Sequence, residues 1–258
     1  MVSSRDTLKT LILLSERAER YQDMFDRLIE LVCLDEGLTE DERSLLSLAC
    51  KNLVGPKRSA CRCLAALEEK FGADDFKTTC TRELKDAVIA EIEAICKKLV
   101  DTVTAHILVR QNSPTDVVFY LKMCGDYHRY HAETLQGDKR AQVAKDAHDF
   151  YLKAYNIAVA ELKPTSPVRL GLGLNLSVFY YEVEDNTALA KKTAREFLDA
   201  AVDKMGDDTE NFKDNELIIQ LLRDNLTLWN SESTATQIGE DVEEDQENLD
   251  TIQKVEAQ

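Results

Sequence analysis

Thr39-Glu40-Asp41-Glu42-Arg43-Ser44-Leu45-Leu46-Ser47-Leu48-Ala49-Cys50-Lys51-Asn52-Leu53-Val54-Gly55 is the stretch on which the fold turns. Thr39 stands three residues before Glu42. At that spacing a threonine hydroxyl and a glutamate carboxylate each satisfy a free N–H at a helix start. The helix that begins here is expected to run to about Phe71. Pro56, directly after Gly55, removes one ladder hydrogen bond and pushes away the carbonyl of Asn52. A kink is expected there, not an end, because helical periodicity resumes with Leu64, Leu67 and Phe71.

Outward from this helix the same period recurs. Thr7 to Leu31 reads as helix in two pieces, and Leu34 to Leu38 as a break. From Asp75 to Ile107 an apolar stripe runs through Ile89, Ile92, Cys96, Leu99 and Val103 at spacings of three and four. Ser113 and Pro114 mark the next start, serine as cap and proline in the first helical position. Helices are then expected over Thr115 to Leu135 and Lys139 to Leu162, with a break at Pro164 to Pro167. Three shorter ones follow, at Val168 to Glu184, Thr187 to Met205 and Asn211 to Trp229. The fold class is all-α with nine helices. The chain has 9 glycines and 4 prolines in 258 residues, too few turn formers for a β-rich protein.

Beyond Asn230 the acidic run Glu240-Asp241-Val242-Glu243-Glu244-Asp245 has few apolar neighbours. It cannot bury enough surface to fold. The expected organisation is a helical domain over 1–230 and an acidic, mobile tail over 231–258. The formal net charge of −16 repels nucleic acid and favours basic partners, or partners that bring one local anion to a local basic patch. Leu11-Ile12-Leu13-Leu14, flanked by Lys9 and Glu16, is too short for a signal core or a membrane span. Seven cysteines, odd in number and irregular in spacing, read as reduced thiols in a cytoplasmic protein.

Enzyme chemistry finds little support. His128 and His131 lie three apart on one expected helix, a spacing compatible with metal, but a helical di-metal site also wants Glu-x-x-His pairs, and none occurs. Cys61 and Cys63, two apart, face different sides of a helix. Gly171-Leu172-Gly173 follows no strand and is no dinucleotide loop. Neither a metal nor a cofactor is expected. The cations are more suggestive. Lys51 and Arg58 are seven apart and share a helix face, with Lys57 beside Arg58. Lys122 precedes Arg129 by seven, Asp126 can brace Arg129 from one turn away, and Tyr130 adds a phenol donor. On the later helices Leu174, Val178 and Glu182 descend one face with Asn175 alongside. Leu217, Leu221, Asn225 and Trp229 do the same, with Ile218 alongside. Such faces are either ordinary core or half-apolar walls whose amides can bond the main chain of an extended peptide.

Four segments carry a resemblance to a known family. Leu45 to Gly55 is similar to the third-helix motif of the 14-3-3 proteins, and Phe119-Tyr120-Leu121-Lys122-Met123-Cys124-Gly125-Asp126-Tyr127-His128-Arg129-Tyr130 to the fifth. Arg169 to Leu172 with Leu174 to Glu182 resembles the seventh, and Gln220 to Trp229 the ninth. The resemblance spans roughly Leu14 to Trp229. It implies a nine-helix cup that dimerises through its N-terminal helices, as a homodimer or with related chains, and binds phosphorylated proteins without catalysis. Lys51, Arg58, Arg129 and Tyr130 would then hold phosphate. Lys122, Asn175 and Asn225 would meet the peptide main chain, with Glu182 and Trp229 adding contacts. Leu174, Val178, Leu217, Ile218 and Leu221 would form an apolar wall. The dimer seam would contain Leu14, Ala18, Arg20, Asp23, Leu84 and Glu91. No nucleic-acid or membrane partner is implied.

The chain also departs from the family pattern. Pro56 and Lys57 replace a small residue and an arginine, Cys61 a tryptophan, and Ala60 a serine whose phosphorylation controls dimerisation in some members. Leu84 replaces a tyrosine, and Ala87 the lysine that would face Asp23 across the seam, so one cross-subunit ion pair is expected to be missing. Gly173 replaces an alanine and is expected to loosen its helix by up to about 1 kcal/mol. The rival from another class, a tetratricopeptide-type scaffold for unmodified peptides, predicts a repeat of about 34 residues that the chain lacks.

Overall fold

The computed structural model describes residues 4–34, 37–71, 76–110, 112–204 and 215–231. These residues hold helices and connecting turns, with no strand among them. The chain divides into two compact units, Met1–Glu161 and Leu162–Gln258. Ser231, the first residue of the expected tail, is still helical; residues 232–258 of that tail, and the expected helical residues 75, 205 and 211–214, lie outside the described residues.

The first unit contains α1 (Ser4–Arg17), α2 (Tyr21–Cys33), α3 (Glu40–Phe71), α4 (Phe76–Thr102), α5 (Pro114–Ala132) and α6 (Gly137–Glu161). The expected first break falls between α1 and α2, where Glu19 takes a left-handed φ of 54°. The α3 start is capped reciprocally. The Thr39 amide donates to Glu42 Oε2 at 2.9 Å, and the Glu42 amide donates to Thr39 Oγ1 at 3.3 Å. Arg5 and Lys9 from α1 also reach the Glu42 carboxylate, at 2.6 and 3.0 Å. Burial alone would raise the Glu42 pKa, but these partners outweigh it and hold the carboxyl below its ordinary range. α3 continues as one helix through Pro56 to Phe71. α4 runs into a π-helical turn, Val103–Ile107. α5 starts as expected, with Ser113 Oγ accepting from the Asp116 amide at 3.1 Å and Pro114 first in the helix. It stops at Ala132, three residues before the expected Leu135, because the Thr134 and Leu135 amides turn back onto the His131 and Ala132 carbonyls.

One core binds these helices. Met24, Phe25 and Leu28 of α2 meet Leu46 and Cys50 of α3, Ile92 and Leu99 of α4, and Cys124 of α5. Fully burying such side chains stabilises by about 1.5–3 kcal/mol each. All seven cysteines are free thiols, and burial pushes those of Cys96 and Cys124 up to about 12.

The second unit contains α7 (Pro167–Glu182), α8 (Thr187–Val202) and α9, residues 215–231. Asn186 Oδ1 caps α8 by accepting from the Leu189 amide at 3.0 Å. Asn215 Nδ2, buried, donates to the Thr165 carbonyl at 2.7 Å and ties the start of α9 to the turn before α7. The expectation for Gly173 needs correction. A Cβ there would lie 2.3 Å from the Phe197 ring of α8. The glycine is therefore what lets α7 and α8 approach, and its packing gain opposes its intrinsic helix penalty.

Candidate functional site

Arg58 leaves α3 on the side that faces α5. Its guanidinium meets the Glu133 carboxylate through two nitrogens, Nε to Oε2 at 2.9 Å and Nη2 to Oε1 at 2.8 Å, and lies 3.9 Å from the Tyr130 ring centroid. Arg129 comes to the same place from α5. It lies 4.6 Å from the Tyr130 centroid and donates to Glu133 Oε1 at 3.3 Å. Two guanidiniums from different helices thus share one ring and one carboxylate. A planar cation gains from an aromatic face, and its fork matches the two oxygens of an oxyanion.

A buried support sits behind Arg129. Tyr151 of α6 donates to Asp126 Oδ1 at 2.5 Å and accepts from Arg129 Nε at 3.3 Å. Lys122 donates to Asp126 Oδ2 at 2.8 Å. Tyr151 reaches these groups because Gly125 presents no side chain. A Cβ there would stand 2.9 Å from the tyrosine ring. Burial on its own would raise the Asp126 pKa, but Lys122 and Arg129 outweigh it and the carboxyl is lowered. Burial would lower that of Arg129, but Tyr151 and Asp126 outweigh it and the guanidinium stays charged. Burial raises the Tyr130 and Tyr151 phenols, so both remain protonated donors near neutral pH.

Four of the expected residues, Arg58, Lys122, Arg129 and Tyr130, therefore belong to one network. Lys51 stands two turns before Arg58 on α3, exposed, and among the described residues no hydrogen bond or ion pair engages it. Four cations against the two carboxylates of Asp126 and Glu133 leave two positive charges along these faces of α3 and α5. Two members were not foreseen in the sequence. Glu133 could have been found as the residue four beyond Arg129, a spacing that pairs charges on a helix. Tyr151 had no such signal.

In the second unit, Leu174, Asn175 and Val178 on α7 and Ile218 and Asn225 on α9 are half-buried. Leu217, Leu221 and Glu182 are exposed. Trp229 is buried and stacks on Tyr181 at 4.9 Å between centroids. On the expected seam, Leu14 and Leu84 are 55% and 56% exposed, Ala18, Arg20 and Glu91 are exposed, and Asp23 is half-buried. Among the described residues no cluster of His, Cys, Asp or Glu could hold a metal ion, and no helix is long and apolar enough to cross a membrane. His128 Nδ1 contacts the Cys124 carbonyl at 2.9 Å, and its ring lies 5.3 Å from Phe150.

Comparison with known proteins agrees with the motifs. The family model of the 14-3-3 protein matches residues 11–230. The chain is 41% identical over 221 residues to 14-3-3 protein beta/alpha-A of Xenopus laevis, covering 85% of this chain and 91% of that one. It is equally similar to 14-3-3 protein theta of Mus musculus and of Homo sapiens, covering 85% of this chain and 90% of each.

Proposed function

The chain belongs to the 14-3-3 family, and on that footing we propose that it is a non-catalytic adaptor that binds partner proteins through phosphoserine or phosphothreonine. One observation carries the proposal: Arg58 and Arg129, from separate helices, already grip a shared oxyanion, the Glu133 carboxylate, around the Tyr130 ring. A phosphoryl group offers the same kind of oxygens, three in number, with a charge of about −1.5 to −2. It is therefore the ligand that can displace or join Glu133 between Arg58 and Arg129. Lys51 adds a point charge and Tyr130 a hydroxyl donor. Lys122, Asn175 and Asn225 are assigned to the peptide main chain, with Glu182 and Trp229 beside them. Leu174, Val178, Leu217, Ile218 and Leu221 are assigned to its apolar side chains. Leu14, Ala18, Arg20, Asp23, Leu84 and Glu91 are assigned to self-association, as homodimer or with related chains.

Hydrogen bonds to a charged group contribute about 1.5–3 kcal/mol each. Losing two or three of them separates phosphorylated from unphosphorylated ligand by about a thousandfold or more. Titrating a labelled phosphoserine peptide and its unphosphorylated twin by fluorescence anisotropy tests this. Equal affinities would mean a scaffold for unmodified peptides instead. Arg58→Glu and Arg129→Glu should each abolish measurable binding while the far-UV circular dichroism keeps its helical signal. Retained binding in either variant refutes the pocket.

A further inference from the structure

A hollow of about 1120 Å³ lies within the first unit and shares no residue with the cationic network. α3 pairs with α4 and α5 with α6, and the two hairpins join through α4 and α5. α4 lines the hollow from Thr78 to Glu93, about 22 Å of helix. Asp86, Ile89 and Glu93 project from the side of α4 opposite Leu84 and Glu91, so an occupant here does not compete for the surface assigned to self-association. Ile89, Leu135 and Val143 give the hollow a half-buried apolar lining. Of its charged groups, Arg82 and Lys85 are both spent on Glu68. Glu69, Asp86, Glu93 and Lys139 are exposed, and among the described residues no hydrogen bond or ion pair engages them. Three carboxylates and one ammonium are thus open to a ligand. His131 adds an unmet polar atom, because its Nε2 is buried without a hydrogen-bond partner among the described residues, a state that buried polar groups rarely keep. Burial lowers the His131 pKa against the pull of Glu93, and His128 lowers it further, so the imidazole is neutral near pH 7 and carries an acceptor nitrogen.

The open groups of this hollow mostly accept hydrogen bonds and carry negative charge, the reverse of the phosphate site. Their ligand is a donor-rich cation with an apolar side. A volume above about 1000 Å³ exceeds the usual range for small molecules. A wall of about 22 Å matches instead three to four turns of helix laid lengthwise in a groove. We propose that the hollow docks a basic amphipathic helix of a partner protein, with its apolar side chains on Ile89, Leu135 and Val143 and its lysine or arginine side chains on Glu69, Asp86 and Glu93. The net charge of −16 draws such a segment in at long range. The inference goes beyond the phosphate-dependent reading and does not rest on it, because this contact asks for no phosphate.

The probe is a fluorescein-labelled peptide of about 14 residues, leucine and lysine only, patterned so that the leucines form one helix face. Its twin carries glutamate in place of lysine. Anisotropy titration with the full chain at about 0.15 M salt should show saturable binding of the lysine peptide below about 1 mM, and binding of the twin weaker by about tenfold or more. Asp86→Lys with Glu93→Lys, both on the exposed side of α4, should weaken the lysine peptide by about tenfold or more. The same change of net charge made elsewhere, as Glu161→Lys with Asp199→Lys, should alter it by less than about threefold, since charges beyond a Debye length are screened. A saturating excess of unlabelled phosphoserine peptide should leave the bound signal unchanged. No binding up to about 1 mM overturns the inference, as does equal binding of the twin. Equal losses in the two double variants would reduce the contact to general charge attraction and overturn it too. Displacement by the phosphopeptide would place the probe in the phosphate groove and overturn the separate site, leaving the phosphate-dependent reading intact.

Discussion

Glu133 occupies the two guanidiniums that a phosphate is proposed to use, and this sets the pH at which the exchange is favourable. A phosphoryl group outcompetes one carboxylate through its second charge, which it loses below its second pKa of about 6. Arg129 is held charged and Tyr130 held protonated through that range. Phosphopeptide affinity should therefore fall by about tenfold between pH 7.5 and 5, measured by anisotropy in buffers of constant ionic strength. Tyr151→Phe removes the hydroxyl that serves both Asp126 and Arg129 in a buried place. It should cost about 1–3 kcal/mol in urea denaturation. It should also weaken phosphopeptide binding by less than Arg129→Glu does, because the guanidinium remains. Gly173→Ala, a favourable change in an isolated helix, should here destabilise by about 1–3 kcal/mol, since the added methyl meets the Phe197 ring.

At the scale of the element, α3 matters most, because it carries Lys51 and Arg58 and its start is fixed by a capping box. Thr39→Ala should cost about 1 kcal/mol in urea denaturation. Glu42 does more than cap, because Arg5 and Lys9 join α1 to the same carboxylate. Its folded pKa lies below the unfolded value, as does that of Asp126. The folded chain thus binds fewer protons than the unfolded one in mildly acid solution. The stability these groups contribute is fully present above the ordinary carboxylate pKa of about 4, and is lost as pH falls through it toward their lowered folded values. Urea midpoints should drop through that window, and Glu42→Gln should flatten the drop while lowering stability at neutral pH.

For the whole molecule, the acidic charge and the cationic site work together. A chain of net charge −16 repels polyanions at long range, so on the proposed function a ligand must bring its phosphate into contact to meet the cations of α3 and α5. If two copies associate through the surface proposed above, two such sites are linked, and a doubly phosphorylated peptide long enough to reach both gains effective concentration with no new contact. Such a peptide should bind about a hundredfold tighter than its singly phosphorylated form. Leu84→Asp should abolish that advantage and leave the affinity for the single phosphate unchanged.

Among the described residues, helix limits to within a few residues and the α3 and α5 caps were legible in the sequence, because they rest on local rules: period, capping spacing and turn chemistry. So was the membership that long motifs in order imply. Pairings between residues remote in the chain were not. Arg58 with Glu133, Tyr151 with Asp126, Phe197 against Gly173 and Lys57 with Glu91 each depend on how helices pack. Periodicity says which face of a helix is apolar, but not which side chain on another helix will stand opposite. That is settled only when close-packed helices leave one room to approach and another none.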